Sequence, residues 1–158
     1  MRCPAQHLAI VEAVADGEGG LRRDIERAPE LFQCAAGLSG LYDLEAFATD
    51  SDAASASYGR SYISRVLGSD KAQWRANSPL HLAEKIKAPV FLAHGKIDER
   101  TPCGQAVEMK EALEAAGNAP EWMPVPGEAH GFYKDGNNVA FYKRLEAFLA
   151  RNIGAGEP

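Results

Sequence analysis

The amino-acid sequence predicts an α/β fold, a mostly parallel sheet flanked by helices. Three observations carry this reading. Short, nearly uncharged runs at 32–38, 89–95 and 121–125 have the length and texture of strands. Amphipathic helical patterns follow the second and the third. The order is therefore strand, long helical excursion, strand, helix, strand, helix, which implies parallel strands joined by right-handed crossovers.

Residues 1–28 form a segment of their own. Gln6 to Ala15 reads as a short helix, broken by three glycines within Gly17–Gly20. Leu21 to Arg27 is charged and helix-capable, and Ala28-Pro29 ends it. Residues 29–153 then make the α/β portion. Phe32 to Leu38 suits a strand buried on both faces. Gly40 to Leu44 is a turn, and residues 49–61, rich in Ser, Ala and Asp, suggest a surface excursion. Short helices are expected at 61–67 and 71–77. A third opens at Ser78-Pro79, with proline where no N–H is needed.

Pro89 to Gly95 is the clearest strand, continuous and apolar in its centre. Gly104 to Ala116 is a helix whose apolar face holds Ala106, Val107, Met109, Ala112, Leu113 and Ala116, with Gly117 as its stop. Glu121 to Val125 is the next strand. Asn137 to Asn152 is the last helix, with Val139, Phe141, Tyr142, Leu145, Phe148, Leu149 and Ile153 on its apolar side. Residues 154–158 read as a frayed tail.

Composition excludes several classes. With 46% hydrophobic and 25% charged residues, 158 residues describe an ordinary globular chain. A net charge of −5 disfavours non-specific nucleic-acid binding, which needs Lys and Arg against phosphates. Cys3, Cys34 and Cys103 show neither disulfide-framework nor zinc-ribbon spacing. No signal peptide or membrane span is visible, so a cytoplasmic location is expected.

In a parallel sheet, functional groups gather on loops at the carboxyl ends of strands. Two loops qualify: His94-Gly95-Lys96-Ile97-Asp98-Glu99-Arg100-Thr101-Pro102, and Gly127-Glu128-Ala129-His130-Gly131-Phe132. One strand-helix-strand unit thus brings a carboxylate and an imidazole to one sheet edge. A carboxylate on one imidazole nitrogen fixes the tautomer and leaves the other nitrogen free to take a proton from a nucleophile.

The pattern H-G-x-x-D-x-R-x-P, a helix, then P-G-x-x-H-G-F resembles the catalytic end of prolyl oligopeptidase-family serine peptidases, among them acylaminoacyl peptidases and dipeptidyl aminopeptidases. Pro29 to Gly37 with Tyr42-Asp43-Leu44, Asn77 to Leu80, and Lys85 to Val90 are similar to it as well. The likeness covers about residues 27–152. It implies a partial α/β-hydrolase fold, namely the C-terminal part of the catalytic domain. It also implies Asp98 as triad acid, His130 as general base, peptide or acyl-peptide substrates, and no metal or organic cofactor.

One feature departs from the family. Its nucleophile elbow, G-x-S-x-G on a strand-turn-helix, should lie about 15 to 20 residues before Pro29. Val14 to Gly20 stands there, without a serine and without an evident strand before it. Ser57, in Ala56-Ser57-Tyr58-Gly59, is a weak substitute that lacks the first glycine and a preceding strand. Ser39 reads as a turn residue, Cys3 lacks an elbow setting, and Cys103 begins a helix. His94 reads as structural, Arg100 as a surface charge or a loop pair, and Glu128 as solvated. A metal site from His94, Asp98, Cys103 and His130 lacks any supporting spacing.

The chain alone is therefore expected to be inert, a small α/β module with triad remnants, although an esterase-like hydrolase is a second reading. Without a neighbouring strand, 32–38 would be an exposed sheet edge. Self-association into a homo-oligomer through that edge is the expectation.

Overall fold

The computed structural model describes residues 9–12 and 32–154. Four parallel strands run side by side in chain order: β1 (Ala9–Glu12), β2 (Ala35–Leu38), β3 (Val90–Gly95) and β4 (Glu121–Val125). The three strands expected from sequence are present, with 32–38 shortened to β2. The expected helix at Gln6–Ala15 gives way to β1, which pairs Ala9 with Ala35 through Glu12 with Leu38. Ile10 and Val11 are β-branched, and a short apolar run follows whichever partner is available. Hence a strand does run immediately before Val14–Gly20; residues 13–31 themselves lie outside the described residues. β2 is paired on both sides, so the exposed edge expected at 32–38 does not exist. Among the described residues, the edge strands are β1 and β4.

Strand alternation sorts the core into two layers. Ala35, Val90 and Leu92 face Tyr42, Ala83, Ile86 and the helix side chains Ala106, Met109 and Leu113. Ala36, Phe91 and Ala93 face Phe141 and Phe148 with Met123, Val125 and Phe132. All six residues of β3 are buried, as a central parallel strand covered on both faces requires. In the second layer, Phe91 lies 6.0 Å from Phe141 and 5.8 Å from Phe148 between ring centroids. Pro124 is tolerated in β4 because an edge strand has a side that needs no ladder donor.

The excursion after β2 is more helical than expected. It contains α1 (Leu44–Asp50), α2 (Asp52–Ser55), α3 (Ser57–Leu67), α4 (Lys71–Ala76) and a 3-10 stretch at Pro79–Lys85. Its Ser and Asp residues are caps. Asp43 accepts from Glu45 N, Ser51 from Ala54 N, and Asp70 from Ala72 N and Gln73 N.

Helix α5 (Cys103–Ala115) links β3 to β4, and α6 (Asp135–Ile153) covers the other face. On α6 the expected apolar side is only partly used: Phe141 and Phe148 are buried, whereas Val139 and Tyr142 are exposed. Past the end of α5, Asn118 donates from Nδ2 to the carbonyls of Ile86 and Ala88, each at 2.9 Å. It ties the helix exit to the approach of β3. Asn118→Ala should lower stability by about 1 kcal/mol. An unchanged denaturant midpoint would show that water replaces both bonds at no cost.

Candidate active site

β3 and β4 end side by side, and their loops are hydrogen-bonded to each other. Lys96 N donates to Val125 O at 3.0 Å and Ile97 N to Glu128 O at 3.0 Å. Gly95 lies so close to the second loop that a Cβ there would run into the carbonyl oxygens of Ala129 and Glu128. Gly127 and Gly131, at φ +70° and +95°, let that loop turn tightly. Phe132 then drops into the core, edge-on to Phe141 at 5.7 Å. Glu128, expected to be solvated, is buried instead. Its carboxylate accepts from Tyr133 N at 2.8 Å, Lys134 N at 3.0 Å and Asn137 Nδ2 at 2.6 Å. Those donors hold its carboxyl below the usual range, Tyr133 N foremost. They also place the carboxylate at the start of α6, where the helix dipole favours it.

The two loops bring Asp98 and His130 together. His130 Nδ1 is 3.0 Å from Asp98 Oδ2. Asp98 is buried. Its Oδ1 accepts from Arg100 N and Thr101 N, both at 2.9 Å. Its Oδ2 also faces His94 Nε2 at 3.3 Å and Thr101 Oγ1 at 3.2 Å. Burial alone would raise the Asp98 carboxyl. The donors from His130, His94 and Thr101 N outweigh it and hold the group well below the usual carboxylate range.

His94 is fully buried, and its Nε2 lies 2.7 Å from Thr101 O. A carbonyl only accepts, so Nε2 carries the proton and shares it with Asp98. Its other nitrogen, Nδ1, has no partner among the described residues. His94 is thus structural, as read from sequence, but its work is to hold the carboxylate.

The ring of His130 is partly exposed, 26% by side chain. Its Nδ1 faces an ionised carboxylate and must carry the proton; Nε2 then keeps a lone pair and has no hydrogen-bond partner among the described residues. This is the arrangement of an imidazole ready to accept a proton.

The other candidates lie elsewhere or do other work. Ser57 is the exposed first residue of α3 and follows a helix rather than a strand. Ser39 directly follows β2 at φ +50°, buried, and its Oγ accepts from Gly131 N at 3.3 Å. Arg100 pairs with Asp52 at 3.2 Å on the surface, a contact worth little. Cys103 opens α5 half-buried, and burial pushes its thiol up. No cluster of three His, Cys, Asp or Glu side chains among the described residues is placed to hold a metal ion. No helix among them is long and apolar enough to cross a membrane. Sequence reasoning gave no role to Thr101 or Gln105 and read Ser39 only as a turn residue. Gln105 Oε1 accepts from Tyr42 N at 3.2 Å and Asp43 N at 3.0 Å, which pins the chain after β2 against α5. Its place four residues before Met109, on the apolar side of α5, was the one available signal.

The profile of the Prolyl oligopeptidase family matches residues 25–156. The chain belongs to this family. Over 77 residues it is 34% identical to dipeptidyl aminopeptidase BIII of Pseudoxanthomonas mexicana, covering 49% of this chain and 11% of that protein. The structure is similar to a puromycin-hydrolyzing peptidase of Mycobacterium tuberculosis, with TM-score 0.72 and 26% identity over 80% of this chain and 19% of the other. It is also similar to an acylaminoacyl peptidase of Pyrococcus horikoshii, with TM-score 0.69 and 25% identity over 81% and 21%. The α/β-hydrolase-like fold and the serine peptidase-like character of the domain rest on these family likenesses. The chain spans about a fifth of the length of the solved peptidases it matches.

Proposed function

We propose that this chain carries the acid–base half of a serine-type acyl-transfer site. His130 is the general base and Asp98 the residue that orients it. The carrying observation is the 3.0 Å contact between His130 Nδ1 and Asp98 Oδ2, which leaves Nε2 free. A hydroxyl nucleophile gives its proton to Nε2 as it attacks the acyl carbon, and the histidinium returns it to the leaving group. Backbone N–H groups near the nucleophile would stabilise the oxyanion. Family membership supports peptides or acyl-amino acids as substrates. No serine, threonine or cysteine among residues 32–154 is hydrogen-bonded at His130 Nε2, which supports a nucleophile supplied from outside them. The first serine of the chain is Ser39.

Two measurements test this. A fluorophosphonate probe should leave the pure chain unlabelled. Labelling that disappears in Ser57→Ala or Ser39→Ala would move the nucleophile into the described residues and overturn that part. Imidazole nitrogen NMR should show neutral His130 protonated at Nδ1, with a slowly exchanging proton. Protonation at Nε2 would sink the base assignment.

A further inference from the structure

The geometry points to Thr101 as a positioning residue for His130, its hydroxyl acting as a second acceptor for the Nδ1 proton. The inference deepens the acid–base reading above and rests on it. Thr101 Oγ1 lies 3.2 Å from His130 Nδ1, 3.2 Å from Asp98 Oδ2 and 3.0 Å from Ser39 O. The hydroxyl has one proton and two lone pairs. Nδ1 holds its own proton for Asp98, so Thr101 cannot donate there and can only receive. Its proton goes to Ser39 O at 3.0 Å, the nearer of its two acceptors, Asp98 Oδ2 lying at 3.2 Å. The Nδ1 proton is therefore shared by a carboxylate oxygen and a hydroxyl oxygen, and both are buried.

That sharing fixes the ring about a second axis. A single acceptor lets an imidazole swing about one N–H···O line. Two acceptors on different sides of that line define a plane, and Nε2 then points in one direction. Thr101 is itself held at three points. Thr101 N donates to Asp98 Oδ1 at 2.9 Å, Thr101 O receives from His94 Nε2 at 2.7 Å, and Oγ1 is tied to Ser39 O.

Ser39 connects the arrangement to the sheet. Its N donates to Ala93 O at 2.9 Å, and its Oγ receives from Gly131 N, the residue after His130. Ser39 does so at φ +50°, a conformation non-glycine residues rarely adopt. Strain of that kind persists where the surroundings over-determine a residue. Here the end of β2, the acid loop and the histidine loop meet on one serine and one threonine. None of these contacts consumes Nε2 of His130.

The test compares Thr101→Val with Thr101→Ser by exchange of the His130 Nδ1 proton with water. Valine keeps the branched shape and removes the hydroxyl; serine keeps the hydroxyl. Exchange should be about threefold to tenfold faster in T101V, the effect of losing one ordinary hydrogen bond. It should stay within twofold of wild type in T101S. Backbone N–H exchange at β3 should not change, which separates positioning from a general loss of stability. Should T101V not fold, T101A removes the same hydroxyl and is read in the same way. Wild-type exchange in a folded hydroxyl-free variant, or equal acceleration in T101S, would overturn the role of Thr101. Absence of any protected Nδ1 proton in the wild-type chain would instead overturn the Asp98–His130 pairing itself.

Discussion

Asp98→Asn is expected to lower the stability of the folded chain by about 3 kcal/mol and to release His130 from its fixed orientation. The carboxylate accepts from both sides: two backbone N–H groups at Oδ1, and two imidazole N–H groups at Oδ2. Asparagine offers one acceptor and one donor end. If its oxygen keeps Arg100 N and Thr101 N, its NH₂ faces the protons of His130 and His94. Buried donors then face donors, and His130 must turn out or change tautomer. The expected readout is loss of the protected Nδ1 proton of His130 together with a lower denaturant midpoint. The pH dependence has a definite sign. The folded Asp98 carboxyl sits below its unfolded value of about 3.9. Its contribution is therefore fully present above about pH 4 and is lost as pH falls through the folded value. Stability of the wild-type chain should fall in that acid range, and D98N should flatten the fall. Parallel acid profiles for the two proteins would show that Asp98 does not carry it.

The second large effect is expected at Gly95. A methyl there would press on the carbonyl oxygens of Ala129 and Glu128 and come within 2.7 Å of the Glu128 carbonyl carbon. All three are backbone atoms with no rotamer to escape into. The histidine loop must move as a body, and Phe132 and the Glu128 contacts to the start of α6 move with it. Gly95→Ala should lower the thermal midpoint by about 5 to 10 °C and displace His130 from Asp98. A protected Nδ1 proton in folded G95A would show that the loop slides without loss of the pair.

Much of this was legible in the sequence for a physical reason. β3 is buried on both faces, which favours apolar or small residues, and a run such as Val90 to Ala93 suits little besides a central strand. The helices on either side carry their burial period in Met109 and Leu113, and in Phe141 and Phe148. The closeness of Asp98 and His130 was legible because strand ends in a parallel sheet are where loops converge. β1 was not found, since four residues carry no period long enough to separate strand from helix. The helical structure of residues 44–60 was hidden because Ser and Asp serve equally as loop residues and as caps, whereas the helix expected at 61–67 is the second half of α3. Thr101 and Ser39 were hidden for another reason. Their roles rest on contacts across 29, 62 and 92 residues, and nothing local marks a hydroxyl that will meet an imidazole so far along the chain.

The meeting of three strand ends at Ser39 and Thr101 also bears on how the chain folds. Each of those contacts closes a long loop, and the entropy of closure is spent before any contact repays it. All of them together can form only when β2, β3 and β4 stand in register. The paired imidazole is thus a sensor of complete assembly. Its single protected proton should vanish in any collapsed species that keeps its helices but not its strand order, and it should return only with the native sheet.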